Sequence, residues 1–251
     1  MEAKKIVGID VGASGIKGGI VDVETGELLT ERFKLATPKP ATPKAMAATF
    51  AELVKILDWN GPIGCGFPSI IKKGVAHTAA NIDKSWIGTS VEDVFSQASG
   101  CPVKVLNDAD AAGIAEVSFG KGKNVDGVVL LITVGSGLGS ALFVNGRLVP
   151  NTEFGHLYLK GHKEVAERWA SSSAKKKNDL SYEQWGPRLN DYLVHLDRIL
   201  SPDRIILGGG ISRKFEKYGQ YLDVNAEVLP ADLRNNAGSI GAAMYVANPS
   251  F

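Results

Sequence analysis

The sequence predicts an α/β protein of two domains, each built on a mixed β-sheet, with a cleft between the domains. The main observation is a repeated glycine-rich turn, Gly12-Ala-Ser-Gly15 in the first half and Gly135-Ser-Gly-Leu-Gly139 in the second. Each turn joins two apolar runs, and each second run ends in a further turn signal, at Gly26 or Gly146. Strand, glycine turn and strand is the pattern of a β-hairpin. Its duplication favours two domains of similar plan.

The elements of the first half follow from apolar periodicity and from turn residues. Thr37–Pro43 contains three prolines and predicts a stiff, extended connector. The predicted elements, in order, are strands 5–10, 15–22 and 28–35, an amphipathic helix at 44–57, strands 63–67 and 103–106, and an alanine-rich helix at 110–119.

The second half repeats this plan. Its predicted elements are strands 127–133, 139–144 and 147–149, a polar stretch with helical pieces at 160–183, a helix at 184–200, strand 204–207, and a helix opened by Gly208–Gly210. A small-residue helix at 238–246 could pack back on the first half. We therefore predict a first domain of residues 1–108 with 236–251, and a second domain of residues 109–235.

Composition describes an ordinary globular chain. Its 251 residues are 44% hydrophobic and 22% charged, with a formal net charge of +1, so nothing drives it as a whole toward nucleic acid or membranes. We see no signal peptide or membrane span and expect a cytoplasmic protein. Cys65 and Cys101 lack disulfide or metal spacing and are expected to be buried thiols.

The paired turns suggest a phosphate site. Glycines allow backbone N–H groups to gather around an anion, and nearby Ser and Thr hydroxyls add donors. The alternative is that the glycines merely serve the hairpins. Two other phosphate motifs do not fit: Lys17 is followed by two glycines instead of Ser or Thr, and the segment after Gly139 reads as a strand where a dinucleotide site needs a helix.

Asp108 lies where a predicted strand gives way to a predicted helix, a common place for ligand-contacting residues in α/β proteins. A carboxylate there could accept a proton from a substrate hydroxyl, while Asn107 hydrogen-bonds a neighbouring hydroxyl. Alternatively, Asp108 or Asp110 caps the helix, a role worth about 1 kcal/mol. The two roles can coexist, with Asp110 capping and Asp108 exposed.

Other polar residues accompany the turns. Glu153 and His156 follow the second hairpin and could together cradle vicinal hydroxyls, or could be ordinary surface residues. Asp10 ends the first strand and could orient magnesium through water, because Mg²⁺ favours a few carboxylates together with phosphate oxygens. Lys17 could reach a phosphate or remain solvated.

Five motifs occur in a fixed order: Asp10–Lys17, Asn107–Ala112, Thr133–Ser140, Glu153–His156 and Gly208–Ser212. This order resembles the ROK family of sugar kinases. The stretches 79–86 and 177–185 are similar to the polyphosphate glucokinase branch of that family, which includes glucomannokinases. The resemblance spans almost the whole chain.

The resemblance implies an actin/hexokinase-like (ribonuclease H-like) fold, usually a homodimer, that phosphorylates the 6-hydroxyl of glucose with polyphosphate, possibly also ATP, and Mg²⁺. Asp108 resembles the general base of the family. The matching sugar ligands are Asn107, Glu153 and His156, with Gly66 and Asn81 as weaker candidates. The matching phosphate-binding positions are Asp10, Gly12, Ser14, Gly15, Lys17, Thr133, Gly135, Ser136, Gly137 and Gly209.

The chain departs from the family in three places. Many members follow the Glu-x-Gly-His element with a cysteine cluster that holds structural zinc, but Leu157–Ala174 contains no cysteine. We therefore predict no zinc, with His156 oriented by packing or hydrogen bonds. Ala13 stands where glycine is usual, and its Cβ restricts positive φ, which puts the tightness of that turn in question. Ser136 replaces a common threonine and keeps the hydroxyl.

Two other functions remain open. One is an ATP-dependent kinase for another hexose, such as mannose or an amino sugar. The other is a sugar-sensing transcriptional regulator, since ROK proteins include repressors. Those carry an N-terminal helix-turn-helix, whereas this chain begins at its first strand, so we expect no nucleic-acid partner. Because we see no membrane span, we also expect no membrane partner.

Overall fold

The computed structural model describes residues 4–248 and 250–251. The chain forms two compact units, residues 1–119 with 236–251 and residues 120–235. Our predicted boundary after residue 108 separated the helix at 108–119 from the first unit. The structure keeps that helix there, because it packs against the C-terminal helix of the same unit.

The first unit is built on a five-stranded mixed sheet. The strands of this sheet are β1 (Lys5–Gly12), β2 (Gly15–Asp22), β3 (Phe33–Leu35), β4 (Ile63–Phe67) and β7 (Val103–Asn107). Two further strands, β5 (Ile71–Lys72) and β6 (Val75–Ala76), form a separate small hairpin. The order in the large sheet is β3-β2-β1-β4-β7, with β1 antiparallel to β2 and parallel to β4. The third strand is shorter than predicted: Leu28 makes only an isolated bridge to Val21.

Three helices of the first unit precede its last strand or follow it directly, and two of them have clear capping signals. They are α1 (Pro43–Ile56), α2 (Val91–Ser99) and α3 (Asp108–Phe119). Thr42 caps α1 through its side chain and Pro43 occupies the first turn, where proline is tolerated. Ser90 caps α2, and Gly100 ends it with a φ of 71°. The sequence analysis missed α2, which buries only Val91 and Phe95.

The second unit repeats the sheet. Its strands are β8 (Val128–Val134), β9 (Leu138–Val144), β10 (Arg147–Val149), β11 (Arg204–Gly208) and β12 (Glu227–Pro230), in the order β10-β9-β8-β11-β12. Both sheets thus have two antiparallel pairs on one side and two parallel pairs on the other. The sequence analysis missed β12, an edge strand with no fully buried residue.

The second unit contains three α-helices: α4 (Ala166–Ala170), α5 (Ser172–Lys177) and α6 (Tyr182–Leu200). A capping box between Ser181 and Gln184 starts α6, which buries Trp185 and Tyr192 against the sheet. Short 3₁₀ turns follow Gly209 over Gly210–Lys217 in place of the predicted helix. Among the helices of the described residues, none has the length and apolarity needed to cross a membrane.

The C-terminal helix α7 (Ala237–Ala247) returns to the first unit and packs on β1, β4 and α3. Glycines allow this close approach. A Cβ built on Gly64 would lie 1.8 Å from the Ala242 carbonyl oxygen, and one on Gly241 would lie 1.6 Å from that of Ala111. Cys65 in the strand beneath is a buried free thiol, as is Cys101, which agrees with the sequence analysis.

Candidate active site

The first glycine turn joins β1 to β2 through only two residues, Ala13 and Ser14, both of which are exposed. Ala13 does not adopt a positive φ, so its Cβ is accommodated without backbone strain. A Cβ on Gly12 would meet its nearest neighbours at 3.5 Å, an ordinary contact. The hairpin itself therefore tolerates a small side chain at position 12.

Asp10 and Lys17 face each other across this hairpin. They are directly paired in the register of β1 and β2, and Lys17 Nζ lies 3.2 Å from Asp10 Oδ2. Both side chains retain about a fifth of their exposure, so the pair is accessible. Gly238, at the start of α7, lies against the Asp10 side chain, since a Cβ there would fall 2.9 Å from the carboxyl carbon. The start of α7 therefore packs directly against the Asp10 side chain.

Asn107 caps α3. Its Oδ1 accepts hydrogen bonds from the N–H groups of Ala109 at 2.8 Å and Asp110 at 3.1 Å, while its Nδ2 donates to the Ser69 carbonyl. The cap proposed for Asp108 or Asp110 in the sequence analysis thus belongs to Asn107. This buried amide keeps one N–H for a further partner.

Asp108 occupies the first position of α3, directly after β7. It is half-buried, and its Oδ1 accepts a hydrogen bond from the Ala109 N–H at 2.9 Å. Asp10 is paired in register with Gly66, and the next residue, Phe67, is paired with Asn107. The carboxyl ends of β1, β4 and β7 therefore bring Asp10 and Asp108 to the same edge of one sheet.

The two weaker sugar candidates lie in different surroundings. Gly66 is buried under the first turn of α3, where a Cβ would lie 3.5 Å from the Cα of Asp108 and 3.2 Å from the Cβ of Ala111. Asn81 is exposed in a loop between β6 and a short 3₁₀ turn at Lys84–Trp86. Gly66 thus has a direct structural relation to Asp108.

The second glycine turn comprises Gly135, Ser136 and Gly137 between β8 and β9. The Gly135 N–H donates to the Gly137 carbonyl at 3.0 Å, which closes the turn. A Cβ on Gly135 would meet nothing within 4 Å, so its environment is more open than that of Gly12. Thr133 is half-buried in β8, and Ser136 is exposed at the tip.

Gly209 holds a separate position behind this turn. Its φ of 78° is in the left-handed region, and a Cβ there would lie 2.6 Å from the Val134 carbonyl oxygen. Glycine is thus required by both conformation and space. Gly208 is paired with Thr133 in the parallel register of β11 and β8, so the two glycine segments of this unit are neighbours.

Hydrogen bonds to Ser140 of β9 hold the segment Glu153–His156 in place. The Phe154 N–H donates to Ser140 Oγ at 3.0 Å, and Ser140 Oγ donates to the Thr152 carbonyl at 2.7 Å. Gly155 is buried so tightly that a Cβ would lie 2.2 Å from the Leu138 carbonyl oxygen. This glycine is therefore a packing requirement of the fold.

Glu153 and His156 form a loose pair, with 3.6 Å between Glu153 Oε2 and His156 Nδ1. Burial raises the pKa of the Glu153 carboxyl; His156 opposes this shift, and Glu167 adds to it. The imidazole is about half exposed and remains available to a ligand.

Glu167 was missed by the sequence analysis. Its carboxylate contacts Gly137, since a Cβ there would lie 2.3 Å from Glu167 Oε2. Its negative charge also contributes to the raised pKa of Glu153. Below them, the Tyr192 hydroxyl is buried and has no hydrogen-bond partner within the described part of the chain. Burial, with both carboxylates, raises the Tyr192 pKa far above its ordinary value. A lone glutamate in a polar stretch offers no signal in one sequence.

The predicted residues thus fall into two groups. The first unit brings together Asp10, Gly12, Ser14, Gly15, Lys17, Gly66, Asn107 and Asp108, and the second brings together Thr133, Gly135, Ser136, Gly137, Glu153, His156 and Gly209. Asn81 is set apart in its loop. Among residues 4–248 and 250–251, no three His, Cys, Asp or Glu side chains cluster as a metal site would require.

Two mixed sheets of the same order, each with a glycine turn between its first two strands, define the actin/hexokinase-like fold. The sequence profile of the ROK family matches residues 6–168, and the chain belongs to that family. It is 52% identical to a polyphosphate glucokinase of Mycobacterium tuberculosis over 94% of this chain and 89% of the relative.

Solved structures give the same assignment. The inorganic polyphosphate/ATP-glucomannokinase of an Arthrobacter strain matches with a TM-score of 0.93 and 45% identity, covering 97% of this chain and 98% of that one. A ROK family glucokinase of Streptomyces griseus, solved with glucose and AMPPNP, matches with a TM-score of 0.80 and 25% identity over 95% and 98% of the two chains.

Proposed function

We propose that this protein transfers the terminal phosphoryl group of inorganic polyphosphate to the 6-hydroxyl of glucose, giving glucose 6-phosphate and a polyphosphate shorter by one unit. The observation that carries the proposal is similarity along nearly the whole chain to a protein named for that activity: 52% identity over 94% of the chain to the mycobacterial polyphosphate glucokinase. The accessible carboxylate of Asp108, on the same sheet edge as the Asp10–Lys17 pair, supports the chemistry.

Asp108 is the proposed general base. Its carboxylate accepts the proton of the 6-hydroxyl as that oxygen bonds to the terminal phosphorus, while the bond from phosphorus to the bridging oxygen breaks and the shortened chain leaves. Phosphoryl transfer leaves little covalent work for the protein, so positioning and charge neutralisation dominate. Asn107 supports this role, because it caps α3 through the N–H groups of both Ala109 and Asp110, whereas Asp108 shares the Ala109 N–H.

In this proposal, side chains that match the family's sugar ligands bind the sugar hydroxyls. The main candidates are Asn107, Glu153 and His156. An ionised Glu153 accepts hydrogen bonds from sugar hydroxyls, and the half-exposed His156 adds either a donor or an acceptor. Gly66 contributes close backbone approach beside Asp108, and Asn81 stays a weaker candidate.

The phosphates are bound by the two glycine turns. Backbone N–H groups around Gly12–Gly15 and Gly135–Gly137 offset the charge of the donor, with Ser14, Thr133 and Ser136 as hydroxyl donors. Lys17, already beside the first turn, adds a positive charge. Gly209 supports the second turn from behind.

Magnesium fits the Asp10 site in one specific way. One accessible carboxylate, already paired with Lys17, cannot form an all-protein cage, but Mg²⁺ usually keeps several waters and takes one or two carboxylates plus phosphate oxygens. Asp10 would therefore hold the ion through water, and the ion would neutralise charge on the donor phosphates. We propose no zinc, so Glu153 and the packing of Gly155 orient His156.

The proposal is tested by incubating the purified protein with glucose, Mg²⁺ and long-chain polyphosphate in nucleotide-free buffer and measuring glucose 6-phosphate. We expect continuous product formation that stops when the polyphosphate is removed enzymatically beforehand. If product appears only after ATP is added, the polyphosphate assignment is wrong.

A second candidate is an ATP-dependent kinase acting on glucose or another hexose, such as mannose or an amino sugar. The relative solved with glucose and AMPPNP, at 25% identity over 95% of this chain, favours nucleotide use within the family. The Arthrobacter relative is named a polyphosphate/ATP-glucomannokinase, which supports use of either donor by this protein. Rates with each donor and each hexose separate these functions.

The resemblance further supports a cytoplasmic homodimer that binds neither nucleic acid nor membranes. Light scattering after size-exclusion chromatography tests the dimer. Binding to labelled duplex DNA tests the regulator alternative.

A further inference from the structure

A pocket of about 880 Å³ lies in the second unit beside the second glycine turn. We call it the basic pocket and define it by Ser136, Arg168, Trp169, Lys176, Lys177 and Arg188. None of these residues except Ser136 has a role in the proposed function so far. The lysines belong to the run Lys175–Lys177 at the end of α5.

The cations of this pocket outnumber its carboxylates. Four cations line it, against the two carboxylates of Glu164 and Glu167. In the described part of the chain, none of the four cations forms an ion pair with a carboxylate. The chain as a whole carries only +1, so this is a local concentration of positive charge.

Arg188 is held in place instead of being free in solvent. Its guanidinium lies 3.8 Å from the centre of the Trp169 ring, and the His162 ring packs on the same tryptophan at 4.5 Å. Stacking of this kind limits the motion of the planar guanidinium and leaves its N–H groups available. A preorganised guanidinium suits a phosphate, because less conformational entropy is lost on binding.

The basic pocket is continuous with the proposed phosphate turn. Ser136 belongs to both, and the Ser173 N–H donates to the Gly135 carbonyl at 3.1 Å, which fixes the start of α5 to the turn. Lys176 and Lys177 follow Ser173 by three and four residues, so each lies on the side of α5 that carries Ser173.

Lys176 also lines a second, smaller pocket of about 290 Å³, together with Lys214 and Gly210. The two pockets therefore adjoin at this lysine. A linear anion that leaves the glycine turn can pass Arg188 and Lys176 and reach Lys214.

We propose that the basic pocket binds the trailing phosphates of the polyphosphate chain, those behind the reacting end, and so makes the protein select long chains over short ones. The inference rests on the proposed function and adds its specificity residues. A long polyphosphate chain carries regularly spaced negative charges that can bind several unpaired cations of the basic pocket. All three phosphates of tripolyphosphate are bound at the glycine turns, so none of them reaches these cations.

The test compares wild type with the double variant Lys176→Gln/Lys177→Gln, using long-chain polyphosphate and tripolyphosphate as donors. Loss of two exposed contacts should raise KM for the long chain about tenfold, with kcat retained. The slope of log KM against log salt concentration should fall by about 1.4, by analogy with about 0.7 for each phosphate contact of a flexible strand. KM for tripolyphosphate should change by less than about twofold.

A matched control is Lys4→Gln/Lys5→Gln, which removes the same charge from two adjacent exposed lysines at the end of β1 remote from Asp10. This variant should behave as wild type with both donors. The inference is overturned if the control matches the Lys176/Lys177 variant, if KM rises equally for both donors, or if KM for the long chain does not change.

Direct binding separates this inference from the proposed function. Equilibrium binding of long-chain polyphosphate without glucose should weaken about tenfold in the variant. If wild type binds the chain in this way but forms no glucose 6-phosphate from it, the proposed function fails and the pocket assignment stands. If wild type forms glucose 6-phosphate from polyphosphate and the Lys176/Lys177 variant binds the chain as tightly as wild type, only the pocket assignment fails.

Discussion

Asn107 and Asp108 are adjacent and polar, but their surroundings give them different tasks. The Asn107 side chain is buried and spends three hydrogen bonds on backbone groups, whereas the Asp108 side chain is half-buried and follows the strand end. A helix start normally needs one capping side chain, and here the asparagine supplies it. The carboxylate can therefore be changed without removing the cap.

This division predicts the outcome of Asp108→Asn. We expect turnover to fall about 100-fold or more, because general-base catalysis typically contributes that much, while the dissociation constant for glucose changes only modestly. Glucose 6-phosphate formation and calorimetric glucose binding measure the two effects. Asp93→Asn, at an exposed carboxylate on α2, serves as the control and should be fully active. A variant at position 108 that keeps more than a tenth of the rate would contradict the role.

Glu153 predicts a pH dependence of stability. Burial raises its pKa in the folded state above the ordinary value of 4.5, so the folded protein binds more protons than the unfolded chain between these two values. Stability is therefore lost as pH rises from 4.5 through the folded pKa. Glu153→Gln removes this loss.

The melting temperatures of wild type and Glu153→Gln, measured across this pH range, test the effect. We expect the variant to gain stability over wild type as pH rises, up to a plateau above the folded pKa. A difference that is constant with pH would mean that Glu153 titrates normally. His156→Gln provides a useful second series, because His156 opposes the shift.

At the scale of elements, the same residue type serves different purposes in the glycine segments. Gly155 and Gly209 are required by the fold, since a Cβ on either would lie within 2.6 Å of a backbone oxygen. A Cβ on Gly12 would make only ordinary contacts, one on Gly135 would meet nothing within 4 Å, and neither residue has a positive φ. Nothing within the hairpins requires glycine at these two positions, which points to the ligand.

This contrast predicts that Gly12→Ala and Gly135→Ala leave the melting temperature within a few degrees of wild type. KM for polyphosphate should rise about tenfold or more, because the added methyl group obstructs the approach of a phosphate to the backbone. Gly155→Ala is the counterpart and should destabilise the protein by about 3 kcal/mol. Donor kinetics and thermal unfolding distinguish the two classes; equal destabilisation of all three would refute the assignment.

At the scale of the whole molecule, the chain leaves the first unit after Phe119 and returns to it at Asn236. The returning helix α7 packs on two strands and on α3, and its Gly238 reaches the Asp10 side chain. The last helix of the chain therefore helps to build the site that starts with its first strand.

Gly241→Ala tests this closure. By helix propensity alone, alanine should stabilise α7 by about 1 kcal/mol. The new Cβ would lie 1.6 Å from the Ala111 carbonyl oxygen, however, so we expect a net loss of about 3 kcal/mol or more. Chemical denaturation measures the sign directly. A stabilised variant would show that α7 does not pack tightly on α3.

Much of this architecture could be predicted from local pattern. The two hairpins, the first helix and the long α6 were predicted to within a few residues, because apolar periodicity and turn residues act over short distances. Short or exposed elements were missed: α2 buries few residues, and β12 is an edge strand. The sequence placed Asp108 correctly at the junction of β7 and α3. It did not identify Asn107 as the side chain that caps the helix.

By itself, the sequence determined the family, the duplicated plan and the positions of the glycine turns, because these are read along the chain. Only the tertiary structure decided which distant residues meet: Gly238 beside Asp10, Glu167 beside Gly137, and Arg188 stacked on Trp169. Such contacts depend on sheet order and on the path of the connections. Those features arise from the packing of whole elements, so no local spacing encodes them.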